Sequence, residues 1–132
     1  YPFVVLMVAY TMVSLWILSQ PIVVSPSLIS LRAPSDTVSL APFEFREFCL
    51  EMTALDEVQY DFRSDRPVEF EIHYHVGIKI HFPVQLNGIT VHADKFVAEA
   101  DQFYCLMWTN QSINDTSLTY HILALRSEGS GK

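Results

Sequence analysis

The chain has 132 residues and a formal net charge of −7, a length that allows one domain and an appendage. Its eight Lys and Arg residues are scattered, whereas a nucleic-acid backbone needs clustered cations to displace counterions, so nucleic-acid binding is excluded. The same acidity excludes peripheral adhesion to an anionic membrane and leaves insertion as the route to a bilayer.

Half of the residues are apolar, and the excess lies at the N-terminus. No charged residue precedes Arg32. Residues 2–18, PFVVLMVAYTMVSLWIL, extend through Ser19 and Gln20 to the length that spans a bilayer core at about 1.5 Å per residue. Residues 1–20 are therefore expected to be a transmembrane helix. Phe3, Leu6 and Leu15 would face lipid, and Trp16 would anchor at the interface. A cleaved signal peptide would have a shorter apolar core and small residues at the cleavage site, which Ser19-Gln20-Pro21 does not supply. The arrangement predicts a single-pass membrane protein with its C-terminal domain periplasmic or otherwise extracytoplasmic.

Residues 21–42 contain Pro21, Pro26, Pro34 and Pro42 among several serines, which predicts an extended tether. Its apolar residues, from Ile22 to Leu31, are too many for a free linker. From Phe43 onward the apolar period is two, which predicts strands through residue 125, and residues 126–132 form a polar tail. Phe45 and Phe48 differ in parity, as a bulge would require. Val58, Tyr60 and Phe62 alternate with polar residues. Asp65-Arg66-Pro67 predicts a turn, and Asn87-Gly88 a hairpin. Phe103–Trp108 is apolar on both faces and predicts a central strand, and Leu118–Leu125 a last one. No helix of useful length is visible from residue 43 to 132. Short strands at this density predict an all-β antiparallel sandwich.

Residues 69–82, EFEIHYHVGIKIHF, alternate without a break. Val68, Phe70, Ile72, Tyr74, Val76, Ile78, Ile80 and Phe82 are expected to form a core seam, bent at Gly77. The other face carries Glu69, Glu71, His73, His75 and Lys79, a candidate partner-facing surface. His73 and His75, about 6–7 Å apart on one side of a strand, could offer two imidazoles to copper or zinc. His81 shares their parity but could join only if the chain reversed at Gly77. Lys79 stands where the cupin His-x-His motif would place its Glu, so that metal site is not complete. Cys49 and Cys105 are the only cysteines. An even count in an oxidising compartment suggests a bridge, and two buried thiols are the alternative.

No Gly-rich phosphate loop, nucleophile elbow or paired CxxC is present, so the chain is not expected to be an enzyme. Asn110-Gln111-Ser112 and Asn114-Asp115-Thr116 match the glycosylation sequon.

The stretches FREFCLEM and DQFYCLMWTN resemble the GOLD β-sandwich of the p24 cargo-receptor family over about residues 43–125. Arg46-Glu47-Phe48-Cys49 matches its early cysteine strand, Val68–His75 its apolar-His middle strand, and Phe103-Tyr104-Cys105-Leu106-Met107-Trp108-Thr109-Asn110 its late cysteine strand. The resemblance implies a structural disulfide between those two strands and a recognition role. The p24 proteins place their membrane helix after the domain, so vesicle trafficking does not carry over.

Three functions follow as expectations. The first is a non-catalytic accessory subunit of a larger membrane complex, respiratory or photosynthetic, whose domain contacts integral membrane partners. The second is metal binding or delivery through His73 and His75. The third is a p24-like receptor for cargo or ligand.

Overall fold

The computed structural model describes residues 28–127, and every regular element among them is a strand. These are β1 (Leu28–Arg32), β2 (Ser35–Leu40), β3 (Phe45–Met52), β4 (Glu57–Val76), β5 (Lys79–Val97), β6 (Gln102–Asn110) and β7 (Thr116–Ser127). All pairings are antiparallel, and one seven-stranded sheet runs β1-β7-β4-β6-β3, with β2 also on β7 and β5 on β4.

The sheet curls because β4 changes partner along its length. From Glu57 to Ser64 it pairs with β7, and from Val68 to His73 with β6, while β5 follows its other edge through both halves. The corner falls at Asp65-Arg66-Pro67, where the sequence predicts a turn. The chain bends there but does not reverse, and Pro67, lacking an N–H, sits where the ladder is already interrupted. The Asp65 carboxylate fixes the bend by accepting hydrogen bonds from the Thr116 hydroxyl and the Ser117 N–H.

Asn87-Gly88 is the matching corner in β5, not a hairpin. Val68 pairs with Ile89 and Phe70 with Leu86, so β5 holds one extra residue there, and Gly88 absorbs it at φ 66°. A second extra residue lies at Phe82-Pro83, between the Ile72–Val84 and Tyr74–His81 pairs. The actual reversal is at Gly77-Ile78, between paired Val76 and Lys79. Gly77 has φ 61°, which suits the first central position of a two-residue hairpin turn reserved for Gly.

The core gathers one face of every half. Val58, Tyr60, Phe62, Val68, Phe70 and Ile72 of β4 join Leu106 and Trp108 of β6 and Leu118, Tyr120 and Ile122 of β7. Trp108 stacks on Tyr120 with ring centres 4.9 Å apart and lies 5.3 Å from Phe70 and 5.8 Å from Phe62. One indole thus touches both halves of β4.

Other sequence expectations change. The expected bulge between Phe45 and Phe48 is absent: β3 and β6 keep one register from Phe45–Thr109 to Met52–Gln102. Phe45 differs in parity because it faces outward and is exposed. Of the tether expected at residues 21–42, the described part from residue 28 holds β1 and β2, sheet strands on β7. The β7 ladder likewise takes in Arg126 and Ser127. The transmembrane span expected at 1–20 lies outside the described residues, among which no helix is long and apolar enough to cross a membrane.

Candidate functional site

The outward face of β3, β6 and β4 carries two adjoining rows of side chains. In one, Glu47 of β3 lies opposite Met107 of β6, which lies opposite Glu71 of β4. In the next, Cys49 lies opposite Cys105, and Cys105 opposite His73. Directly opposed residues share a face, so register alone gathers two cysteine sulfurs, the Met107 thioether, an imidazole and two carboxylates. Cys49 and Cys105 are joined in a disulfide with Cα atoms 4.0 Å apart.

His73 is the centre of this cluster, and only 6% of it is exposed. Its Nε2 lies 3.4 Å from the Glu47 Oε2, while its buried Nδ1 has no hydrogen-bond partner among the described residues. The His75 ring is 5.3 Å away and the Phe82 ring 6.0 Å. Burial lowers the His73 pKa, opposed by the Glu47 carboxylate and aided by His75. Burial raises that of Glu71, with Glu69 and Glu47 adding like-charge repulsion. Among the described residues, Glu47, His73 and Cys105 bring potential ligand atoms within 4.8 Å of one another.

His81 does not join His73 and His75. The two-residue turn inverts parity, so His81 pairs with Tyr74 on the opposite face, its ring stacked 4.9 Å from the tyrosine ring. Lys79, opposite Val76, leaves the histidine face for the same reason. The expected partner-facing surface also changes character: Glu71 and His73 are buried, Glu69 is half-buried, and His75 and Lys79 are exposed. The core seam ends early, since Val76, Ile78, Ile80 and Phe82 are all exposed.

Exposed apolar side chains stand on this face beside the exposed Glu47, Glu51 and His75. Phe45, Phe103, Ile80 and Phe82 are 58%, 57%, 47% and 44% exposed. Phe45 lies on β3 in the parity of Glu47 and Cys49, Phe103 opposite Glu51, and Ile80 opposite His75. The alternation points each apolar residue at a core, and only the register shows that these four look outward.

A second arrangement is also invisible without register. Ser35, His121 and Asp61 form one row across β2, β7 and β4, lining a shallow groove with Tyr60 and Lys95. His121 Nδ1 lies 2.9 Å from the Asp61 Oδ1. Both side chains are more than half exposed, so water screens the pair, and no hydrogen bond joins Ser35 to His121 among the described residues.

The chain matches no protein-family model and no curated protein. Among solved structures it is similar to PliG of Aeromonas hydrophila, a periplasmic lysozyme inhibitor of g-type lysozyme. The TM-score is 0.51 at 10% identity, over 70% of this chain and 85% of PliG. A de novo designed double-stranded β-helix gives a TM-score of 0.39 at 18% identity, over 67% of this chain and 97% of the design. The PliG likeness places the chain with all-β proteins built on a curled antiparallel sheet. The GOLD resemblance gains no support beyond that all-β class.

Proposed function

We propose that the chain is a non-catalytic, extracytoplasmic protein-binding module that serves as an accessory subunit of a membrane assembly. Its curled sheet closes as a sandwich, and the apolar run at residues 2–18 tethers it to the bilayer. The observation that carries this reading is the outward exposure of Phe103, Ile80 and Phe82 on the histidine face, with Phe45 exposed further along β3. Interface centres are rich in aromatic residues, and here exposed rings stand beside the buried His73 and its exposed partner Glu47. The PliG neighbour is a periplasmic protein whose target is another protein, which is consistent with a binding role for the fold. The disulfide suits an oxidising compartment.

The test is purification of the full chain in mild detergent from its native membrane. Stoichiometric co-migration with larger membrane subunits is expected, and Phe103→Ala and Phe45→Ala should each weaken it, by about 2 kcal/mol for a central anchor. Recovery of the chain alone, or partners retained undiminished by both variants, would contradict the reading.

A further inference from the structure

The sulfur row has a second use. Cys49, Cys105 and His73 occupy adjacent positions on one face of three neighbouring strands, and Glu47 precedes Cys49 by two residues on the same face. His73 is buried with one ring nitrogen at the Glu47 carboxylate and the other unpartnered. A buried imidazole without a full set of partners costs free energy, and a metal ion would satisfy it. The ligand atoms of Glu47, His73 and Cys105 already lie within 4.8 Å of one another. Ligands on a tetrahedral zinc, with bonds of about 2.0–2.3 Å, sit roughly 3.5 Å apart, a difference that side-chain rotation can close.

As a disulfide, the sulfurs are not thiolates, and thiolate is the form that binds zinc. We propose that Cys49, Cys105, His73 and Glu47 form a zinc site that the disulfide closes and reduction opens. Two thiolates, an imidazole and a carboxylate are a donor set suited to zinc. His75 is exposed and one row further along, so it stands outside the set.

In the opening step an external dithiol supplies two electrons, closing to its own disulfide as the Cys49–Cys105 bond breaks, and its two protons end on the two cysteine sulfurs. Zinc then forms two zinc–sulfur bonds, and both thiol protons leave to solvent. Access for the attacking thiolate comes from the β3 side: Cys49 is only partly buried, and β3 ends the sheet order. The site is independent of whether the outer patch binds a partner, since metal uptake is read on the protein alone.

The experiment is cobalt titration of the full chain in detergent, before and after reduction by a phosphine that does not itself bind the ion. Circular dichroism reports the fold, and zinc is added as competitor. The reduced chain is expected to keep its β spectrum in the presence of metal. It should take up one cobalt with sulfur-to-metal charge-transfer and tetrahedral ligand-field bands, both lost when zinc displaces it. The oxidised chain should show neither band. His73→Ala should weaken zinc at least about tenfold, and Cys49→Ser with Cys105→Ser should abolish the charge-transfer band. Three results would overturn the site: a reduced chain that takes up no metal, one that stays unfolded with zinc, or unchanged affinity in His73→Ala.

Discussion

Asn110 has no exposed surface, yet every polar atom of its side chain is used. Its amide donates to the carbonyl oxygens of Leu40, Ala41 and Asn114, and its Oδ1 accepts from the Ser112 N–H and hydroxyl. It ties the end of β2 to the β6–β7 loop, so the sequon at Asn110 cannot be modified in the folded protein, while Asn114 is exposed. Removing the side chain strands several buried groups, and Asn110→Ala should cost about 3 kcal/mol in urea unfolding. His73 makes the second residue-scale prediction. Its pKa is lowered in the fold by burial, so the unfolded chain binds the extra proton more readily. Its neutral form therefore contributes stability above the ordinary value of 6.5, and that contribution is lost as pH falls through it. Glu71 acts oppositely: its raised pKa means a contribution present below its ordinary value and lost as pH rises. Urea midpoints between about pH 7.5 and about pH 5.5 should fall in the wild type and fall less in His73→Gln; equal slopes would contradict the burial argument.

At the scale of elements, the disulfide joins β3 to β6 across a separation of 56 residues. Closing a loop of that size removes about 4 kcal/mol of freedom from the unfolded chain in the entropy model. Cys49→Ser with Cys105→Ser should lower unfolding free energy by that order, with the β spectrum retained under native conditions. Which face of Val58–Phe62, Val68–Ile72 and Leu118–Ile122 is buried follows from apolar alternation and was legible, whereas β1 and β2, read as a tether, were not. The turns were not. Asn87-Gly88 suits a hairpin or a bulge equally, since both require a residue at positive φ, and only the partner strand decides between them. Gly77-Ile78 lacks the Asn-Gly signature but makes the reversal, and that single misplacement moves His81 and Lys79 to the wrong face. Adding a side chain at Gly77 meets nothing within 4 Å, so Gly77→Val should cost only the backbone term, about 1–2 kcal/mol. A larger loss of stability would show that the hairpin tip is packed.

For the whole molecule, the division is between a core that unites both halves of a bent hairpin and an outer face that gathers unlike chemistry. Trp108 serves the first role through its contacts with Phe62, Phe70 and Tyr120. The second belongs to Phe103, Ile80 and Phe82 near the disulfide and His73, with Phe45 further along β3. The cluster of Glu47, Cys105 and His73 was only half legible, because residues 26 to 58 positions apart in the chain become neighbours through register. The exposed aromatic patch was hidden for a related reason: an apolar residue in an alternating strand carries no mark of which side has a core. The most direct test of a protein-binding role is quantitative co-purification of the full chain from its native membrane, wild type beside Phe103→Ala and Phe45→Ala. Stoichiometric partners in the wild type that are depleted in both variants are the expected result. A wild-type chain that purifies alone, or variants that hold the same partners in the same amounts, would contradict it.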